Sequence, residues 1–141
     1  MATKQSVKAP KPYRFTADEY YRIAEIGIFE PIEERVELIE GQILEMAAAG
    51  IGHGWVADRL TEALVLTVRG RAIVRVGSSV QLDLDSVPQP DFALLRPPSA
   101  RYRAAQPGHD DVLLIIEVSD TTLSFDRGTK ALDHAPAEGD R

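Results

Sequence analysis

Two carboxylates and one amine, Asp91, Glu117 and Lys130, carry the chemistry this sequence could perform. Asp91 stands in Pro90-Asp91-Phe92-Ala93-Leu94-Leu95, and Glu117 in Val112-Leu113-Leu114-Ile115-Ile116-Glu117-Val118-Ser119. Each adjoins an apolar run long enough for one strand. From Val112 to Val118 every position but Glu117 is apolar, which reads as a strand covered on both faces. A carboxylate at the end of such a strand is costly to bury unless something pairs with it. A metal ion is one such partner. A cation from a following helix is another, and Lys130 stands in the segment after the second strand.

The chemistry that fits is phosphodiester hydrolysis. That reaction needs a water made nucleophilic and a crowded negative charge neutralised, and a divalent ion does both. Magnesium prefers oxygen ligands and is commonly held by one or two carboxylates, with water and substrate completing its shell. Asp91 and Glu117 on neighbouring strand ends would meet that need. Two carboxylates brought together repel, so their meeting favours protonation or cation uptake. Lys130 could orient the water or stabilise charge on phosphorus. Spacing alone leaves other readings open, because aspartate after proline is a common turn pair and a strand-ending glutamate is often a surface residue.

The elements that must position these groups follow from the pattern of the chain. Thr16 with Glu19 three residues on has the capping-box spacing, and predicts a helix through Tyr20, Ile23 and Ala24 that stops near Gly27. Arg35 to Met46 reads as a hairpin turning at Glu40-Gly41. Ala47 to Gly52 is a loop. From His53, Val56, Leu60, Leu64 and Val68 recur on one helical face, and Gly70 is placed to end that helix. Ala72 to Val76 is a strand. Ser79 to Leu84 alternates and predicts a second, half-exposed strand. The prolines of Ser86 to Pro90 stop any ladder there. Arg96 to Asp111 is a long polar surface loop, a length often associated with function. Arg96, Arg101 and Arg103 within it are candidate phosphate holders, with solvated surface arginines as the plain reading. A short helix carrying Asp126, Lys130 and Leu132 should follow the Glu117 strand. The order, helix, hairpin, helix, several strands, helix, gives an α+β (α/β-like) fold with a mixed sheet.

At 141 residues, with 44% apolar and 27% charged residues, one domain with one core is expected. There is no cysteine, which excludes disulfides, thiolate metal sites and cysteine nucleophiles. No apolar run reaches membrane-spanning length, and Met1 to Lys11 lacks an apolar signal core; a cytoplasmic location fits. The net charge of −6 argues against a general nucleic-acid coat protein, which is usually basic. A carboxylate-built nuclease site remains compatible with it. No P-loop is present and no Gly-x-Ser-x-Gly, which argues against a nucleoside-triphosphate enzyme and a serine hydrolase.

From about Tyr13 to Leu132 the sequence resembles the Uma-two family of restriction-endonuclease-like proteins, within the PD-(D/E)xK nuclease superfamily. The motifs that carry the resemblance stand in order: Phe15-Thr16-Ala17-Asp18-Glu19-Tyr20, Val36-Glu37-Leu38-Ile39-Glu40-Gly41-Gln42-Ile43, His53 opening a helix, Gln89-Pro90-Asp91-Phe92-Ala93, Ile116-Glu117-Val118-Ser119, and Asp126-Arg127-Gly128-Thr129-Lys130. The resemblance implies a restriction-endonuclease-like mixed sheet flanked by helices. It also implies an Mg2+- or Mn2+-dependent endonuclease acting on nucleic acid, DNA first. Asp91 and Glu117 would be metal ligands and Lys130 the assisting amine. The superfamily's lysine usually lies two residues after the second acid, where this chain has Ser119; the resemblance moves it to Lys130. Glu37 matches an acidic position of the hairpin and would support the metal from behind, or be an exposed strand glutamate. His53 would contact a phosphate, or cap or pack its helix, the structural role being favoured.

The expected organisation is a lead-in over 1–12, the nuclease-like domain over 13–134, and a tail over 135–141. Family members continue past the lysine helix into a further strand and a hairpin that this chain is expected to lack. The distal strands of the sheet would then be missing, and an open edge invites self-association, so a homodimer is one expectation. The alternative function is an inactive nuclease-like fold, kept as a binding module or as a decayed truncated product.

Overall fold

The hairpin is the most locally determined element. In the computed structural model, which describes residues 9–118, β1 (Arg35–Ile39) pairs antiparallel with β2 (Gln42–Met46), Ile39 opposite Gln42. The two connecting residues both have positive φ, Glu40 at 47° and Gly41 at 75°. That is the twist of a two-residue type I′ turn, which matches the right-handed twist of the strands. Gly41 is also required sterically, since a Cβ there would stand 2.7 Å from the Cβ of Arg14.

Helix α1 (Ala17–Glu25) begins with the expected capping box: Glu19 N–H donates to the Thr16 hydroxyl, and Thr16 N–H donates to Glu19 Oε2 at 2.8 Å. Its buried face, Ala17 and Tyr20, packs with Leu38 and Val87, flanked by Phe15, Phe29, Val36 and Ile43. Burying side chains of this size contributes about 1.5–3 kcal/mol each. Tyr20 anchors the helix to the hairpin by donating its hydroxyl proton to Val36 O at 2.9 Å.

Helix α2 (Ile51–Val68) starts two residues before the expected point, with Gly50 as its N-cap, and ends at a left-handed Arg69. Val56, Leu60, Leu64 and Val68 form its half-buried face, whereas Ile51, Trp55 and Leu66 are exposed. It packs against β3 (Ile73–Val76). A second sheet has the order β3, β4 (Phe92–Leu95), β5 (Val112–Ile116), antiparallel throughout, with a register shift between Leu94 and Leu95. Its inner face holds Val80, Ala93 and Leu95.

Two expectations are corrected. Ser79 to Leu84 is not a strand. It makes isolated bridges, Gln81 with Gly108 and Asp83 with Ser86, and folds back as Leu82 N–H donates to Ser86 O. Its neighbours explain this: Val80 N–H donates to Pro88 O and Gln81 N–H to Pro107 O, and prolines have no N–H to return. Strand β5 is not covered on both faces by the described residues. Leu113 and Leu114 are 45% and 48% exposed, and adjacent strand residues point to opposite faces. Its one ladder neighbour among the described residues is β4.

The sheets are joined through the segment that leads into β4. Val87 N–H donates to Leu38 O at 2.7 Å, Gly41 N–H to Asp85 O, and Glu40 N–H to the Ser86 hydroxyl. These bonds bring the hairpin alongside the entry to β4, where Asp91 stands. The result is a mixed α+β architecture compatible with a restriction-endonuclease-like fold.

Candidate active site

The antiparallel register of β4 and β5 determines where Asp91 and Glu117 lie. Phe92 is opposite Ile116, so Asp91, one residue before β4, faces Glu117, one residue after β5. Glu117 Oε2 lies 3.4 Å from Asp91 N, and Val118 N–H donates to Asp91 Oδ2 at 2.7 Å. The backbone of Asp91 is fixed from the other side, where Gly77 N–H donates to its carbonyl at 2.9 Å. Asp91 is buried at 8% exposure and Glu117 is half-buried.

The other oxygen of Asp91 faces two basic groups. His53 Nε2 lies 3.1 Å from Oδ1 and Arg35 Nη1 lies 3.7 Å from it. The first is within hydrogen-bond reach; the second is an ion pair too long for a hydrogen bond. His53 Nδ1 meets Val118 O at 3.2 Å. Each ring nitrogen thus faces an oxygen. His53 does not cap α2: Gly50 holds that position without a side-chain bond. The imidazole instead ties the first turn of α2 to Asp91 and to the chain leaving β5.

Glu37 approaches from the hairpin and is not an exposed strand glutamate. Its side chain is fully buried, 3.0 Å from Arg35 Nε through Oε1. Residues 35 and 37 share one face of β1 because strand side chains alternate. The negative charge of Glu37 reaches Tyr20, whose hydroxyl pKa is raised by burial first and by Glu37 second.

Arg96, Arg101 and Arg103 stand elsewhere. Arg96 follows the far end of β4, about 16 Å from Asp91 at the rise of an extended strand, and Arg101 and Arg103 lie in and after the 3-10 turn beyond it. Arg96 Nε donates to Asp110 O, and Arg101 pairs with Asp111 at 2.9 Å. Two of the three candidate phosphate holders thus brace the long loop. Lys130, the expected helix around it, the 135–141 tail and residues 1–8 of the lead-in lie outside the described residues.

The structure therefore brings Asp91, Glu117, His53, Glu37 and Arg35 into one neighbourhood. Arg35 was not singled out in the sequence, although its place two residues before Glu37 on a strand was the available signal. Among the described residues no group of three or more His, Asp or Glu side chains is arranged to hold a metal. The donor chemistry of the Asp91–Glu117 pair nonetheless fits a hard divalent cation, which takes carboxylate oxygens and keeps several waters. A cation at Asp91 Oδ1 would compete with His53 and Arg35.

No helix among the described residues is long and apolar enough to cross a membrane. No curated protein matches the chain. The chain does match, over residues 17–139, the Uma2 family described as "Putative restriction endonuclease". That match spans most of the sequence and contains every candidate site residue, so the chain belongs to the Uma2 family, and its description points to a nuclease acting on nucleic acid.

Proposed function

We propose that the protein is a divalent-metal-dependent endonuclease that hydrolyses phosphodiester bonds in DNA. The carrying observation is the facing of Asp91 and Glu117 across the β4–β5 register in a chain of this family. Asp91 and Glu117 would hold Mg2+ or Mn2+. When bound, the metal would supply a more acidic water and neutralise phosphate charge. Asp91 presents a fixed carboxylate, because Val118 N–H holds Oδ2 while His53 and Arg35 face Oδ1. Glu117 adds a second carboxylate from the facing strand end. Lys130 is assigned the assisting amine, stabilising charge at phosphorus. His53 keeps the start of α2 and the exit of β5 in register around Asp91.

The test is nicking of supercoiled plasmid with Mg2+ or Mn2+. Metal-dependent cutting that is lost in Asp91→Ala and in Lys130→Ala is the expected result. Metal-independent cutting, or cutting retained by Asp91→Ala, would reject the assignment. No cutting by the wild-type chain would favour the inactive nuclease-like fold.

A further inference from the structure

Arg35 is the one permanently charged basic side chain that the described residues place between two acids of the site. Its guanidinium spans Glu37 on its own strand, at 3.0 Å, and Asp91 at the entry to β4, at 3.7 Å. The two acids belong to different sheets, so this bridge is a side-chain link between hairpin and β4 at the level of the site. Glu37 is fully buried and the Asp91 side chain is 9% exposed, while Arg35 is 30% exposed. A buried carboxylate is costly without a counter-charge, and one guanidinium here serves two carboxylates. A lysine at this position would bring the charge without the planar fork that reaches two acceptors at once.

Asp91 Oδ1 has neighbours of two kinds. His53 comes from the first turn of α2; Arg35 comes from the hairpin and carries a guanidinium. The Nε of Arg35 makes no aligned hydrogen bond among the described residues. Its 3.0 Å approach to Glu37 is therefore a charge contact in which direction is set by both acids together. With Arg35 removed, the Asp91 carboxylate would lose the charge that faces it from the hairpin and would turn more readily from Val118 N–H.

We propose that Arg35 is a positioning residue: it holds the Asp91 carboxylate in the orientation that presents it alongside Glu117 to a divalent cation. This rests on the metal-site reading above. The Glu37 carboxylate is the other half of the device, orienting the guanidinium from behind. Groups that orient metal ligands typically change metal affinity roughly 10- to 100-fold when replaced, and that range is expected for Arg35.

The experiment has a metal-free arm and a metal arm, both on the full chain. In the first, the amide proton of Val118 is followed by NMR in wild type, Arg35→Gln, Arg35→Lys and Asp91→Asn. The bond from Val118 N–H to Asp91 Oδ2 should be weakened in Arg35→Gln, moving the resonance in the same direction as in Asp91→Asn and speeding its exchange with solvent. Arg35→Lys should move it part of the way. An unshifted Val118 amide in a folded Arg35→Gln variant would overturn the proposal. Should Arg35→Gln fail to fold, Arg35→Lys carries the same test, and an unshifted amide there would also overturn it. In the second arm, Mn2+ affinity is measured by electron paramagnetic resonance. Here the variant is Arg35→Lys, which keeps the positive charge beside the cation and loses the planar fork; binding weakened toward roughly 10-fold is expected, and affinity equal to or above wild type would overturn the proposal. A wild-type chain that binds Mn2+ but cuts no DNA would sink the nuclease reading and leave the Arg35 result standing on these two readouts.

Discussion

Replacing His53 with alanine should loosen the site and lower the stability of the whole fold. The imidazole makes two contacts: Nε2 to Asp91 Oδ1 at 3.1 Å and Nδ1 to Val118 O at 3.2 Å. A hydrogen bond to a charged group contributes about 1.5–3 kcal/mol and a neutral one about 0.5–1.5 kcal/mol. The side chain is 19% exposed, so water entering the space would partly replace both partners. That discount brings the expected loss to about 2 kcal/mol. For a chain of this length the loss corresponds to a fall in Tm of roughly 6 °C. Urea unfolding of wild type, His53→Ala, Asp91→Asn and the double variant gives both the loss and the coupling between the two residues. Residues in direct contact should show a coupling of about 0.5 kcal/mol or more. A loss under about 0.5 kcal/mol, or strict additivity with Asp91→Asn, would refute the view that His53 clamps Asp91.

Gly41→Ala should destabilise the hairpin by about 1–3 kcal/mol, because the position has a φ of +75° and the new Cβ would press on Arg14; an unchanged urea midpoint would contradict this. Tyr21→Phe concerns a hydroxyl that is buried and without a hydrogen-bond partner among the described residues. Burial first, then the neighbouring Tyr20, pushes its pKa up to about 12. A raised folded-state pKa means that the contribution is fully present below pH 10 and is lost as pH rises toward about 12. Two units correspond to about 2.7 kcal/mol, discounted for partial exposure to about 1 kcal/mol. Wild type should therefore lose stability more steeply than Tyr21→Phe between pH 10 and 12, and parallel curves would contradict the assignment.

Local signals were legible in the sequence where the controlling contacts were themselves local. The Thr16–Glu19 capping box, the Glu40-Gly41 turn and the period of Val56, Leu60, Leu64 and Val68 each involve neighbours within one or two turns, and each appears in the fold. The alternation of Ser79 to Leu84 misled because a strand needs a partner with free N–H groups, and Pro88 and Pro107 supply only carbonyls. Val112 to Ile116 is a strand as read, but an apolar run cannot say which faces are covered, and Leu113 and Leu114 are half-exposed. At the site, the proximity of Asp91 and Glu117 depends on the β4–β5 register, which motif order alone does not encode. His53 looked like a helix-start residue because its partners, Asp91 and Val118, are distant in the chain. Arg35 carries no signal of its own in the sequence, because its role depends on Glu37 being buried rather than exposed.

In the proposed site one cation is shared by two carboxylates from facing strand ends. Calorimetric titration of the metal-free protein with Mg2+ and Mn2+ tests that directly, using wild type, Asp91→Asn and Glu117→Gln, each checked for folding by circular dichroism. The expected result is one binding event per wild-type chain that disappears in both variants. A folded Asp91→Asn or Glu117→Gln chain that binds the cation as wild type does would contradict it.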